Sequence, residues 1–301
     1  MSTSESLGEI LKRDSQRLAT ALNLDFSTAR IEVQCLLQSV LNVNRAYLLT
    51  HPERVLNADE VTRYQALCER RMLGEPVAYL LGVREFYGLD FKVTPATLIP
   101  RPDTELLVEL ALQKVPSSST GFAPLPLLAG KAGRGIFRVL DMGTGSGAIA
   151  LSIAHERPDV HVVAVDASEA ALAVATENAQ CLGIDYVRFL HSDWFSKLSG
   201  ECFDLIVSNP PYIEADDEHL SQGDVRFEPM SALASGSDGL DDIRRILKDA
   251  KAHLYAGGWL MFEHGYNQAE RVRQLLQQHG YREVASLLDL AGIERVTLGR
   301  A

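Results

Sequence analysis

Val139-Leu140-Asp141-Met142-Gly143-Thr144-Gly145-Ser146-Gly147-Ala148 is the stretch that decides the fold of this chain. Val139 to Met142 is a short apolar run of the kind buried in a sheet. The glycines after it let the backbone turn tightly and come close to a ligand. Residues 149–157 then carry helical spacing, and 161–165 form a second apolar run ending in Asp166, about 20 residues past the last glycine. Strand, glycine turn, helix, strand and acid in that order describe a nucleoside-binding unit. Its carboxylate stands at the tip of the second strand, placed to accept both hydroxyls of a ribose. Gly143, Gly145 and Ala148 also satisfy the dinucleotide fingerprint, so the stretch alone fits a nicotinamide cofactor, another nucleoside or a tight turn without a ligand.

Working outward, apolar runs at 138–142, 162–166, 187–191, 205–208 and 259–263, with two more near the C-terminus, alternate with helical stretches. That alternation predicts an α/β fold with a mainly parallel, doubly wound sheet and ligands at the carboxyl ends of its strands. Before it, apolar residues recur at helical spacing, as in Leu7, Ile10, Leu11, then Ile31, Cys35, Leu36, then Val61, Tyr64, Leu67, Cys68. With helix starts at 25–28 and 57–59, this reads as a small N-terminal helical bundle. Residues 86–94, with Gly88 at the centre, read as a β-hairpin, and 101–105 open a helix running to Gln113. Residues 115–135, with Ser117-Ser118-Ser119 and several Pro and Gly, read as a flexible surface loop. The expected organisation is a helical domain at 1–84, a hairpin-and-helix connector at 85–114, the loop at 115–135 and the nucleoside-binding domain at 136–301.

Asn209-Pro210-Pro211-Tyr212 follows the apolar run 203–207 directly. Two prolines fix their own φ angles, remove two donors and force extended geometry on the residues before them, so the turn is stiff. The side-chain oxygen of Asn209 and the carbonyl of Pro210 are hard to satisfy within such a turn and are free to hold both hydrogens of a planar NH2 group. Tyr212 can then lie face-on against that group. An amide nitrogen is a poor nucleophile, and holding it in line with a reactive methyl supplies the orientation that solution lacks. The plain alternative is a proline-rich turn closing a strand.

The glycine turn, Asp166 and the Asn-Pro-Pro-Tyr turn together resemble the S-adenosylmethionine-dependent methyltransferases of the Rossmann-like class I fold. Five further stretches narrow the resemblance: Gly74-Glu75-Pro76-Val77-Ala78-Tyr79 followed by Gly82, Glu85-Phe86-Tyr87-Gly88-Leu89, Leu98-Ile99-Pro100-Arg101-Pro102-Asp103-Thr104-Glu105, Ser192-Asp193-Trp194-Phe195 and Gly223-Asp224-Val225-Arg226-Phe227-Glu228-Pro229. In that order they resemble the HemK/PrmC family, protein glutamine N5-methyltransferases that modify class I peptide chain release factors.

The resemblance implies that S-adenosyl-L-methionine is the cofactor and S-adenosyl-L-homocysteine the product, with a release factor as protein substrate that the helical domain helps to recognise. It implies that Gly143, Thr144, Gly145, Ser146 and Gly147 wrap the cofactor, that Asp166 binds its ribose, and that Trp194 lies beside its adenine. Asp193 either accepts from the adenine amine or caps a turn. Asn209 orients the glutamine amide and borders the cofactor, Pro210 contributes its carbonyl, and Pro211 and Tyr212 complete the acceptor pocket. Glu263-His264-Gly265, at the end of the fifth parallel strand, reads as structural. Arg101 and Glu105 read either as pocket wall or as a helix-start ion pair.

Composition agrees with an enzyme of this kind. The chain of 301 residues, 46% hydrophobic and 23% charged, suits a globular protein with a sizeable core. Neither a membrane-length apolar run nor a basic segment leading into an apolar one is present, which predicts a cytoplasmic protein. The net charge is −11, most of it after Glu85, which argues against stable nucleic-acid binding. Cys35, Cys68, Cys181 and Cys202 are far apart, which argues against a disulfide framework and a zinc site and predicts reduced, buried cysteines. Three other functions remain open to test: methylation of an exocyclic amine in a nucleic-acid base, nicotinamide-dependent redox chemistry, and a binding module without turnover.

Overall fold

The structure, a computed structural model, describes residues 5–116 and 135–301. Nearly all of the loop expected at 115–135 lies outside the described residues. The chain divides into two compact units, Met1–Val83 with Ser221–Phe227, and Arg84–Leu220 with Glu228–Ala301.

The first unit holds α1 (Leu7–Leu22), α2 (Phe26–Leu41), α3 (Arg45–Thr50), α4 (Ala58–Met72) and α5 (Val77–Leu81). Their starts are written in side chains that satisfy orphan N–H groups. Ser6 with Glu9 and Asn57 with Glu60 form reciprocal capping boxes, and Asp25 and Asn44 accept from Thr28 and Tyr47. The core between the helices is built from Leu7, Ile10, Leu18, Val33, Leu36 and Tyr64. Ile31 is 51% exposed: the buried stripe of α2 runs through Ala29, Val33, Leu36, Leu37 and Val40 instead. Arg71 is 3% exposed, and its guanidinium bonds Glu32 twice, the carbonyls of Gly74 and Glu75, and Asp224 Oδ1 at 2.9 Å. A buried cation persists only when its donors are engaged in this way, and through Asp224 it ties residues 221–227 to the helices.

A hairpin of β1 (Val83–Phe86) and β2 (Leu89–Lys92) turns at Tyr87 and Gly88, both at positive φ. Beyond it lie α6 (Glu105–Lys114), β3 (Arg138–Met142), α7 (Ala148–Glu156), β4 (His161–Asp166), α8 (Glu169–Leu182), β5 (Arg188–His191), β6 (Phe203–Ser208), α9 (Asp241–Ala250), β7 (Leu254–Glu263), α10 (Ala269–Gln278), β8 (Arg282–Leu288) and β9 (Glu294–Arg300). The seven-stranded sheet has the order β5-β4-β3-β6-β7-β9-β8, and only β9 runs against the rest, antiparallel to both β7 and β8. Alternate residues feed two cores. Val139, Val162, Ala164, Leu205 and Val207 join α6 and α7 on one face, while Leu140, Met142, Val163, Val165 and Ile206 join α9 and α10 on the other. Both faces are covered, as a parallel sheet requires. The strand order reverses between β3 and β6, and that switch point opens the crevice where such sheets bind ligands.

The cysteines depart from expectation. All four are free, but only Cys68 is buried, and Cys181 is exposed. Arg101 and Glu105 do not form a helix-start ion pair. Arg101 pairs with buried Glu228, and Glu105 accepts the N–H of Tyr87 at 3.2 Å. No helix among the described residues is long and apolar enough to cross a membrane.

Candidate active site

The glycine turn sits at the end of β3 beside the switch point. Gly143 and Thr144 donate their N–H groups to the carbonyl of Val165, which lashes the turn to β4. Gly143, Gly145 and Gly147 all adopt positive φ. At Gly147 a side chain is also crowded, since a Cβ there lies 3.0 Å from Leu151 Cδ1 and 3.2 Å from Ala175 Cβ. A Cβ at Gly145 meets nothing within 4 Å, so that glycine faces open space. The N-terminus of α7 points into the same turn and favours negative charge.

Asp166 stands at the tip of β4 with its two oxygens divided between backbone donors, Oδ2 to Gly145 N at 2.8 Å and Oδ1 to Ser168 N at 2.8 Å. Each oxygen keeps a further lone pair open to another donor. Burial pushes this carboxyl up, and those two backbone bonds pull it back. Trp194, at φ 47, lays its ring against Gly143, whose added Cβ lies 3.7 Å from Trp194 Cζ3. The indole Nε1 is buried without a hydrogen-bond partner among the described residues. Asp193 binds Arg245 through both oxygens at 2.9 Å, and the guanidinium hangs over the Trp194 ring. Asp193 therefore anchors an exposed arginine.

Asn209 follows β6, whose last residue is locked to β3 by Ser208 Oγ donating to the Met142 carbonyl at 2.7 Å. Since Met142 and Ser208 are partners in the ladder, the glycine turn and the proline turn leave adjacent strands side by side. Asn209 Nδ2 donates to Thr104 Oγ1 at 3.2 Å. Neither Asn209 Oδ1 nor the Pro210 carbonyl accepts a hydrogen bond from the described residues. Tyr212 is pinned by its backbone, N–H to the Leu233 carbonyl and C=O to Gln268 Nε2 at 2.9 Å. Burial raises the phenol far above its ordinary range, so it stays protonated. The turn thus keeps two acceptors unspent while the backbone of Tyr212 is anchored through both its N–H and its carbonyl.

The chain matches the PrmC N-terminal domain family over residues 9–82 and the methyltransferase small domain family over 128–225. It is 44% identical to a release factor glutamine methyltransferase of Aliivibrio fischeri across 98% of this chain and 97% of that protein. The protein of that name from Escherichia coli K12 is 46% identical across 90% and 92%, and that from Pseudomonas aeruginosa 49% across 92% and 94%.

The chain belongs to the release factor glutamine methyltransferase family.

Solved structures add the fold alone. A methyltransferase from Pyrococcus furiosus, 18% identical, superposes with a TM-score of 0.50 over 77% of this chain and 96% of that one. The hMettl16 catalytic domain, crystallised with an RNA hairpin, is 15% identical and gives 0.53 over 77% and 81%.

Several groups in this family member escape a reading of local motifs. Asp141 is fully buried on β3, takes Thr144 Oγ1 at 2.6 Å and Ala150 N at 3.2 Å on Oδ2, and leaves Oδ1 without a partner. Burial moves it up to about 7. The sign was an acid inside an apolar strand. Gln268 bridges two loops, its oxygen on Gly265 N and its nitrogen on the Tyr212 carbonyl. Glu263 and Thr104 lie against Asn209, a meeting that the stretches holding each of them do not reveal. His264 is buried and structural as expected, held to Thr297 Oγ1 at 2.7 Å.

Proposed function

We propose that this chain transfers the methyl group of S-adenosyl-L-methionine to the side-chain amide nitrogen, N5, of a glutamine in class I peptide chain release factors. One observation carries the reading: the paired free acceptors of Asn209 and Pro210 at the sheet's switch point, beside the glycine turn. The residues at the turn fit the cofactor. Gly145 opens onto free space, the Trp194 indole N–H is unpaired, and the Asp166 oxygens have lone pairs left for hydroxyls.

Bound there, S-adenosyl-L-methionine supplies an electrophilic methyl on a sulfonium and is converted to S-adenosyl-L-homocysteine. The chain's own part is orientation. Asn209 Oδ1 and the Pro210 carbonyl accept the two N–H groups of the glutamine amide, and Tyr212 stacks on its plane with Pro211 behind the turn. The nitrogen lone pair, perpendicular to that plane, is thereby aimed at the methyl, and both acceptors strengthen as the nitrogen becomes positive. A proton then leaves to solvent, so no strong base is needed. Gly143, Thr144, Gly145, Ser146 and Gly147 cradle the methionine and adenosine parts, Asp166 holds the ribose, and Trp194 borders the adenine.

The helical unit contributes to recognition of the release factor, and the net charge of −11 favours a protein acceptor over a nucleic-acid base. We place the reaction in the cytoplasm. Incubation with labelled methyl donor and a release factor, followed by mass spectrometry, is expected to locate the label on one glutamine. Label on nucleic acid instead overturns the reading.

A further inference from the structure

Strand β7 ends in a carboxyl with no evident place in a core. Glu263 is 2% exposed, and its Oε2 has no hydrogen-bond partner among the described residues. Such a group is costly to bury. The ladder pairs Ser208 with Phe262, so the next residues along these two parallel strands are Asn209 and Glu263. The nearby Thr104 hydroxyl and Asn209 amide favour the charged form of this carboxyl.

Thr104 ends the 3-10 turn 102–104 that runs directly into α6, with helical φ −68 and ψ −20, so its hydroxyl is not spent on capping the helix. Its Oγ1, in a residue 4% exposed, accepts from Asn209 Nδ2, which leaves its own proton available to the neighbouring Glu263.

We propose that Glu263 and Thr104 are positioning residues that hold the Asn209 side chain with its nitrogen inward and its oxygen toward the methyl acceptor, an assignment that rests on the glutamine-methylation reading. The two ends of an amide have nearly the same shape, so hydrogen bonding alone decides which faces the pocket. A carboxylate only accepts. Flipping Asn209 sets its oxygen against that carboxylate and turns N–H donors toward the incoming NH2, where they repel it.

Protonation removes the discrimination, because a neutral Glu263 can donate to a flipped Asn209. Burial raises this carboxyl to about 7, Thr104, Arg295 and Asn209 oppose that rise, and Asp103 adds to it. The charged and titratable groups facing it are Asp103 ahead of α6, Arg295 on β9 and the Tyr212 phenol after β6. His264 on the same strand spends its ring on Thr297 and Gly265. The rate of methyl transfer should therefore fall on the acid side of neutrality.

Steady-state kinetics with a release factor, run across neutral pH on Glu263→Gln, Thr104→Val and Thr104→Ser, test the assignment. Glu263→Gln and Thr104→Val are expected to lose about tenfold to a hundredfold in kcat, with wild-type affinity for S-adenosyl-L-homocysteine by calorimetry. Thr104→Ser should restore most of the rate, and Glu263→Gln should lack the acid limb. Wild-type kcat and pH profile in both variants overturn the assignment, as does a fall in product affinity that tracks the fall in rate. If Glu263→Gln does not fold, the Thr104→Val and Thr104→Ser pair decides. A wild-type chain that methylates no release factor overturns the function itself, a result distinct from active wild type with unaffected variants.

Discussion

Gly145 donates its backbone N–H to Asp166 Oδ2 at 2.8 Å, so the glycine turn and the tip of β4 form one hydrogen-bonded piece. The carboxylate that we assign to the ribose also sets the shape of the turn around the rest of the cofactor. Asp166→Ala should then weaken S-adenosyl-L-homocysteine binding by about tenfold to a hundredfold, the worth of a charge-assisted bond or two. Calorimetry checks this, and unchanged affinity would separate Asp166 from the cofactor.

Asn209→Ala removes an acceptor needed most as the nitrogen becomes positive. The expected loss is about a hundredfold to a thousandfold in kcat, with product affinity nearly intact. Comparable losses in rate and in cofactor affinity would contradict the division between Asn209 and Asp166.

Gly239, at φ 70, presses on the acceptor turn from behind. A Cβ there falls 2.2 Å from the Tyr212 carbonyl oxygen and 2.6 Å from Gln268 Nε2. Gly239→Ala must shift backbone, at a cost of about 1–3 kcal/mol in stability. Tyr212 moves with it, so kcat should fall more steeply than melting temperature. Full activity in a destabilised Gly239→Ala protein would show that Tyr212 need not be held in place.

Asp141 makes stability depend on pH. Its carboxyl rises from 3.8 to about 7 through burial, while bonds from Thr144 and Ala150 oppose the rise. A raised folded pKa means that its contribution to stability is fully present below about 4 and is lost as pH climbs through about 7. Asp141→Asn should therefore gain on the wild type over that interval, by at most about 4 kcal/mol. Denaturant unfolding of both proteins at several pH values checks the sign, and a constant difference refutes it.

Much of the fold was legible because its signals are local. The apolar run before Gly143, the acid at 166 and the prolines at 210 and 211 each declare a strand end within a few residues, and capping residues such as Asp25 and Asn57 mark helices equally directly. What stayed hidden depends on distant segments meeting. Nothing near Thr104 shows that its hydroxyl will meet Asn209, and nothing near Arg101 shows that Glu228 will take it. The insertion of β9 between β7 and β8 is likewise a choice of neighbours, invisible to periodicity. Ile31 fits the helical spacing and still faces solvent, because spacing alone does not reveal which side of α2 meets its partners.

The Gln268 amide has a consequence for anyone redesigning the acceptor pocket. One planar group staples the loop after β7 to the proline turn, giving each what it lacks. A glutamate of the same size has an oxygen where the nitrogen was, and sets it against the Tyr212 carbonyl. Libraries that vary this position for new acceptors will therefore lose the tyrosine's seat before they alter its preference.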